Sequence, residues 1–476
     1  MVTKVNPPQW YSLPIGQTEN LDHRLDASAY NVEALAAISK VRHYKDGFLP
    51  LWGENGIICN AYYPGRYKRI YSSEKDGVPF YLPSQLEEVH PHPTKFIALK
   101  TAKKLANDYI KANLLLISRS GSIGKSTISS RSTIGKLFSD DVIRISFNNI
   151  YDLVYTYVFL NTLDGLHILR SNNYGAVIDH IEPEHLRNIT IPNAPIELRK
   201  KIHQLIMDSF ELRDRSNELI DTAQNLLFKE LSLPPLDEIE PKQYDTNNKF
   251  RCISICASLL DGRLDVSYHV PEVEAIIDIL QNNASRVLKI KDPEISRCII
   301  LPGRFKRVYV DKKHGVPFFG GKQLLQLTPS NVKYLSRTHH AKRIAQQLTI
   351  SENMCVISCS GTIGKVNIVP KHWDGWTLSQ HVIRVVPSSS DIAGYIYAWL
   401  SSPYCKMLIL RNSYGAVIDE LSDDQIGNVR IPILKDAEKM KIINDDILNA
   451  NHLRYEAALK EEAALTLMQK ILDNEM

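Results

Sequence analysis

The sequence predicts a mixed α/β protein, richer in strand than in helix, in which one domain is written twice and each copy is followed by a long helix. Three observations carry this reading. First, Tyr174-Gly-Ala-Val-Ile-Asp179 returns at Tyr414-Gly-Ala-Val-Ile-Asp419, and Ile117-Ser-Arg-Ser-Gly-Ser-Ile-Gly-Lys125 returns as Ile357-Ser-Cys-Ser-Gly-Thr-Ile-Gly-Lys365, both at an offset of 414 − 174 = 240. Second, short β-rich runs bounded by Gly, Ser or Asp recur in both halves: Leu114–Ser118, Val142–Phe147, Asn353–Ser358 and Val382–Val386. Third, Glu197–Leu231 contains neither Gly nor Pro and carries a heptad rhythm.

A chain of 476 residues exceeds one core and calls for several domains. Hydrophobic content of 44% and charged content of 23% are ordinary for a soluble protein, and the net charge of +4 is only mildly basic. No run approaches the roughly 18–20 apolar residues of a membrane helix, and the first residues lack the apolar core of a signal peptide. The seven cysteines form no C-x-x-C pair, so reduced thiols in a cytosolic protein are expected.

Taken in order, residues 1–20 read as an irregular arm with Pro7, Pro8 and Pro14. The first copy opens with Arg24-Leu-Asp-Ala-Ser28, matched by Arg263-Leu-Asp-Val-Ser267. Gly65-Arg-Tyr-Lys-Arg-Ile-Tyr71 is matched by Gly303-Arg-Phe-Lys-Arg-Val-Tyr309, and Gly77-Val-Pro-Phe80 by Gly315-Val-Pro-Phe318. Val142-Ile-Arg144 is matched by Val382-Ile-Arg384, and each copy closes on Ile-Pro, at Ile191-Pro192 and Ile431-Pro432. A helix from Tyr151 to about Leu163 has its counterpart in Ile392–Leu400.

Beyond each Ile-Pro comes the long helix. Ile202, Leu205, Ser209, Leu212, Ser216, Leu219, Ala223 and Leu226 alternate steps of three and four, and 35 residues at the helical rise give roughly 50 Å. Met440, Ile443, Ile447, Ala450, Ala457, Ala464, Met468 and Ile471 keep the same rhythm, interrupted by Arg454 and Glu461. The two seams bury on each other or on a globular core. The resulting division is a first domain at 1–193, a helix at 194–232, a Pro-rich linker at 233–254, a second domain at 255–433 and a last helix at 434–476.

Enzyme motifs fail on inspection. Arg119 and Cys359 stand where a P-loop needs its first glycine, and Val366 replaces its hydroxyl. Asn6-Pro-Pro-Gln-Trp10 displaces the aromatic of an adenine-methyltransferase loop, and Ser118 spoils a G-x-S-x-G elbow. Asp237, Glu240 and Lys242 crowd a Pro-rich linker, and the fifteen histidines show no metal spacing. The Ser-Gly-x-Ile-Gly-Lys stretches read as tight turns leaving a strand, with Gly121 and Gly124 at positive φ. Lys125 and Lys365 either touch phosphate or sit exposed.

The positive signal is basic and aromatic. On a strand, Arg66 and Lys68 would share one face and the aromatics the other, with Arg69 adjacent; Arg304, Lys306 and Arg307 repeat the pattern. Such a strand suits phosphate neutralisation, or is a solvated strand with an aromatic core face.

The order of duplicated α/β domain, long helix, second domain and long helix resembles the specificity (S) subunits of type I restriction–modification systems. The paired Ser-Gly-[Ser/Thr]-Ile-Gly-Lys turns, the Tyr-Gly-Ala-Val-Ile-Asp and Ile-Pro closures and the two seam helices carry the resemblance over almost the whole chain. It implies two target-recognition domains related by a pseudo-two-fold, set apart by an antiparallel coiled coil, in a cytoplasmic, non-catalytic subunit. It implies double-stranded DNA with a bipartite, asymmetric target, two methyltransferase subunits and restriction/translocase subunits as partners. S-adenosylmethionine and ATP would belong to those partners and no cofactor to this chain. Base readers are expected where the copies differ: 31–62 against 270–300, 81–95 against 319–333, and 126–140 against 366–380.

Overall fold

The structure, a computed structural model, describes residues 31–171, 180–239, 254–260, 262–415 and 417–476. The arm at 1–20, the first Arg-Leu-Asp-x-Ser motif, the hexapeptide at 174–179 and most of the linker lie outside them. The chain divides into two compact units. One comprises Met1–Leu86, His92–Met207 and Glu461–Met476; the other comprises Glu87–Pro91 and Asp208–Lys460.

In the first unit a four-stranded antiparallel sheet runs in the order Ile58–Tyr62, Val142–Phe147, Leu114–Ser118, Ser126–Ile128. In the second, Ser296–Ile300, Val382–Pro387, Cys355–Ser358 and Val366–Ile368 take the same order. Even the irregularity is duplicated, since the register shifts between Ile58 and Asn60 and again between Ser296 and Cys298. Alternating apolar residues put Leu115, Ile117, Ile143 and Ile145 into one core and their counterparts Cys355, Ile357, Ile383 and Val385 into the other, all essentially buried.

A second small sheet in each unit pairs Gly77–Tyr81 with Lys95–Ala98 and, in parallel, with Leu137–Phe138; the other copy uses Gly315–Phe319, Lys333–Ser336 and Thr377–Leu378. Gly315 is required by close approach, because a Cβ there would lie 2.5 Å from Tyr334 Cβ. The Ile-Pro closures are strands. Ile191 lies opposite Leu49 and Ile431 opposite Leu288, so each domain's end is paired to its own beginning. The Tyr155 hydroxyl donates to Pro192 O at 3.0 Å and Tyr395 to Pro432 O at 2.8 Å, tying the buried helices Ile150–Leu160 and Ser390–Leu400 to those closures.

The long helices span Ile196–Glu230 and Ala437–Leu472. In the second unit they pair antiparallel: Ser209 Oγ bonds Ala457 O at 2.9 Å, Arg454 Nε bonds Ser216 Oγ at 3.0 Å, and Lys439 meets Glu230 at 2.7 Å. They also lean on the domain, since Gln224 Nε2 donates to Ala398 O at 3.1 Å and Asn451 Nδ2 to Val369 O at 3.0 Å. This double coverage corrects the expected seam. Ile206, Ile220 and Leu227 are buried, whereas Leu205, Leu212, Leu219 and Leu226 are only half-buried, because a helix covered from two sides needs a wider apolar stripe than a bare two-helix seam. The interrupting residues are satisfied: Arg454 is buried against Ser216 and Asn217, and in the first unit Glu461 accepts from Tyr157 Oη at 3.0 Å.

Candidate nucleic-acid interface

The basic stretches are not the regular strands expected from their alternation. Residues 63–70 and 301–308 carry no ladder, and only Tyr309–Val310 forms a strand, with a single bridge from Tyr71 to Ile97 in the first copy. A strand needs a partner for its backbone, and here only the last residues reach the neighbouring strand: Ala98 N donates to Ile70 O at 2.9 Å and Ser336 N to Val308 O at 3.0 Å. The alternation survives in the side chains as far as Arg69 and Arg307, but Tyr71 and Tyr309, expected on the inward face with the other aromatics, are exposed. Arg66 and Lys68 are exposed, while Tyr67 and Arg69 turn inward; Arg304 and Lys306 are exposed, while Phe305 and Arg307 turn inward.

Each inward arginine lies over a ring of the small sheet, Arg69 at 5.8 Å from the Phe80 centroid and Arg307 at 5.4 Å from Phe318. What each then meets differs between the copies. Arg69 is ion-paired with Asp140 and lies 3.4 Å from Asp141, whereas Arg307 donates to the neutral Gln380 Oε1 at 2.7 Å.

Those partners sit on one repeated turn. Ser139 N donates to Tyr81 O at 3.0 Å, its hydroxyl accepts from Asp141 N at 3.1 Å, and Val142 N returns to Ser139 O at 3.2 Å. Ser379 makes the same contacts to Phe319 O, His381 N and Val382 N at 2.9, 3.3 and 3.3 Å. The turn is clamped from below by a buried arginine. Arg144 donates to Val142 O, Phe138 O and Asp108 O at 2.8, 3.1 and 3.2 Å. Arg384 donates to Ser379 O at 3.1 Å, to Leu348 O at 3.2 Å, and to Val382 O and Leu378 O. Burial pulls the Arg384 guanidinium down to about 9, and the ring of carbonyl oxygens keeps it hydrogen-bonded. The repeated Val-Ile-Arg is visible in the sequence, but the role of its arginine is not; its only signal there is a charged residue at the same place in two largely apolar strands.

Beside the turn the copies diverge again. In the first, the Arg119 guanidinium packs 4.2 Å from the Tyr63 ring, is ion-paired with Glu182 and lies 3.7 Å from Asp141. In the second, the smaller Cys359 stands at that position and a cleft of about 220 Å³ opens, lined among others by Arg304, Cys359, Gln380, His381 and Tyr414. Burial pushes the Cys359 thiol up to about 12, which leaves it unreactive. Burial, then Arg307 and Arg304, pull His381 below the ordinary imidazole value.

The two Ser-Gly-x-Ile-Gly-Lys stretches are hairpin turns. Gly121 and Gly124 adopt φ of +69° and +88°, and Gly361 and Gly364 adopt +75° and +77°. Ser118 Oγ donates to Ser122 O and accepts from Lys125 N, and Ser358 Oγ does the same with Thr362 O and Lys365 N. Lys125 is half-buried, and Lys365 is ion-paired at 3.2 Å with Glu88. Glu88 comes from the Glu87–Pro91 segment, which packs Val89 against Leu327 and Ala457 in the second unit.

The second hexapeptide forms a tight loop. Tyr414 and Glu420 exchange backbone hydrogen bonds of 3.0 and 2.7 Å, and Gly415 has φ of +120°, where a Cβ would meet Ile418 O at 2.1 Å. Val417 is 96% exposed at its tip, so core packing does not hold it in this copy. Glu420 holds the exposed Arg304 at 3.2 Å. No described helix is long and apolar enough to cross a membrane, and among the described residues no His, Cys, Asp or Glu cluster could hold a metal ion.

In both copies a turn of the same backbone hydrogen bonds carries different polar residues beside exposed basic side chains. Residues 310–449 match the family described as the type I restriction modification DNA specificity domain. The first half repeats the motifs of the matched region, among them Gly77-Val-Pro-Phe80 for Gly315-Val-Pro-Phe318 and Val142-Ile-Arg144 for Val382-Ile-Arg384. Solved structures similar to the chain include a type I restriction–modification S subunit from M. genitalium, at 12% identity over 89% of this chain and 98% of that one, TM-score 0.31. Another is an HsdS subunit from Thermoanaerobacter tengcongensis, at 13% identity over 90% and 97%, TM-score 0.27. No curated protein matches the sequence.

Proposed function

We propose that this chain is the DNA-reading specificity subunit of a cytoplasmic type I restriction–modification complex. Each copy reads one half of a gapped, asymmetric target, and the chain docks two methyltransferase subunits and the restriction subunits. The observation that carries the reading is the specificity-domain match at 310–449 in a chain that repeats the same sheets and turns in its first half. Catalysis, with S-adenosylmethionine and ATP, belongs to the partners. Arg66, Lys68 and Lys306, exposed beside the divergent turns, contact phosphates, and so does Arg304, whose side chain is 82% exposed despite its surface ion pair with Glu420. Arg69, Arg307 and Lys365 are held by Asp140, Gln380 and Glu88 and serve to shape that surface. The hexapeptide, identical in sequence in both halves and exposed at Val417 in the second, meets a subunit present twice.

The test is a genome-wide map of methylated adenines with and without the gene. The reading expects a bipartite motif that disappears on deletion; a map unchanged by deletion, or a single continuous motif, overturns it. A scaffold that binds only protein would leave duplex DNA unshifted in the presence of the methyltransferase partner. A cryptic enzyme would show hydrolytic or nuclease activity in the purified chain.

A further inference from the structure

We propose that Gln380 reads an adenine in the second half-site through the part of its carboxamide that the protein leaves uncommitted. The inference rests on the DNA-reading function above and assigns a base to one residue within it.

The carboxamide is oriented before any DNA arrives. Arg307 Nη2 lies 2.7 Å from Gln380 Oε1, and because a guanidinium can only donate, the oxygen must face it. On the other side Gln380 Nε2 lies 3.0 Å from His381 Nε2. An amide nitrogen can only donate, so the imidazole accepts there and carries its proton on Nδ1, the neutral form that its half-buried, arginine-flanked position favours.

A glutamine amide has two acceptor lone pairs and two N–H donors. Arg307 takes one acceptor and His381 one donor, and no further partner of this amide exists among the described residues. One acceptor and one donor remain, in one plane, on a residue that lines the open cleft. Adenine presents N7 as acceptor and N6–H as donor side by side in the major groove, which is the complement of that pair. Guanine presents two acceptors, cytosine a donor, and thymine an acceptor beside a methyl group. Since the amide is already pinned from both sides, little side-chain freedom is lost on binding.

The first copy cannot do the same. Asp140 stands at the equivalent place, a carboxylate has no donor, and its Oδ1 is engaged by Arg69. The Arg119 side chain packs on Tyr63 beside that turn, where the second copy has its cleft. The shared ring seat, serine turn and buried arginine thus present two different recognition chemistries on one backbone.

The test is selection from a pool of duplexes of randomised sequence, using the full-length chain purified with the subunits that accompany it. The wild type should enrich a gapped sequence with an adenine in one half. Gln380→Ala should lose that one preference by about 5- to 100-fold and leave the other half unchanged. Gln380→Glu, which keeps an oxygen for Arg307 but has no N–H, should move the preferred base at that position to cytosine, which offers an amine donor. Thermal unfolding of both variants near the wild-type midpoint establishes that they fold; should Gln380→Ala be unstable, Gln380→Glu alone decides. If folded variants keep every base preference, or lose enrichment of all sequences alike, Gln380 only positions Arg307 and the inference is overturned. Failure of the wild type to enrich any sequence would instead overturn the DNA-reading function itself.

Discussion

The guanidinium of Arg454 lies within the paired long helices with its Nε 3.0 Å from Ser216 Oγ, while its Nη2 reaches Asn217 Oδ1 at 3.3 Å and Asn217 Nδ2 in turn donates to Val89 O at 2.8 Å. A residue that breaks the apolar rhythm of one helix is thereby the hub of a polar cross-link joining both helices and the Glu87–Pro91 segment. Replacing Arg454 by Met leaves the Ser216 and Asn217 acceptors without this donor, at an expected cost of about 1–3 kcal/mol. Chemical unfolding of R454M, S216A and the double variant checks this, and a cycle that closes with no coupling contradicts it.

Arg384 is the more severe test of packing. Its guanidinium bonds four carbonyl oxygens, and a lysine ammonium cannot reach around the same ring. R384K should destabilise the protein by about 3 kcal/mol or more, as should R144K in the first copy, with loss of DNA selectivity in the affected half alone at temperatures where the variant stays folded. An R384K protein with unaltered midpoint and selectivity would remove the clamp from the account.

Stability should fall on mild acidification. His372 donates from Nε2 to Leu327 O at 2.8 Å, and burial holds its pKa below the ordinary 6.5. His203, His340 and His381 are shifted the same way, chiefly by burial. The unfolded chain then takes up protons first, so this contribution is whole above about pH 6.5 and is lost as pH falls through the folded values. Denaturant midpoints measured from pH 7.5 to 5 should decline, less steeply in H372Q; equal slopes would exonerate His372.

The exposed basic pair in each copy should act without regard to sequence. R66A/K68A and R304A/K306A should each weaken binding to every duplex and lower the salt slope by about one for each phosphate no longer neutralised. A variant that changes which bases are preferred, at constant slope, would make these residues base readers.

Spacing is set by the helices if the pair acts as a ruler. One heptad inserted after Leu219 alone cannot keep both the Ser216–Arg454 and the Glu230–Lys439 contacts, which flank it. Matched insertions after Leu219 and after Ala450 preserve both, and should lengthen the gap in the methylated motif while leaving each half-site intact. An unchanged gap in a stable protein would count against the ruler.

Duplication, strand runs, both long helices and the glycine turns were legible because each is a local or periodic property: identity at a fixed offset, period two, period three to four, and positive φ at Gly121 and Gly124. The same holds for the exposure of Arg66, Lys68, Arg304 and Lys306, which follows from alternation alone. Partners across the chain were not legible. Only the tertiary structure placed Asp140 on Arg69 and Gln380 on Arg307, drew Glu88 onto Lys365, and filled with Arg119 the place that Cys359 leaves open. Hydrogen-bond and ion-pair partners depend on positions within a few ångströms between segments distant in sequence, and those distances exist only once the chain has packed. The sequence alone determined that one unit is written twice; folding decided which side-chain atoms in each copy are left uncommitted.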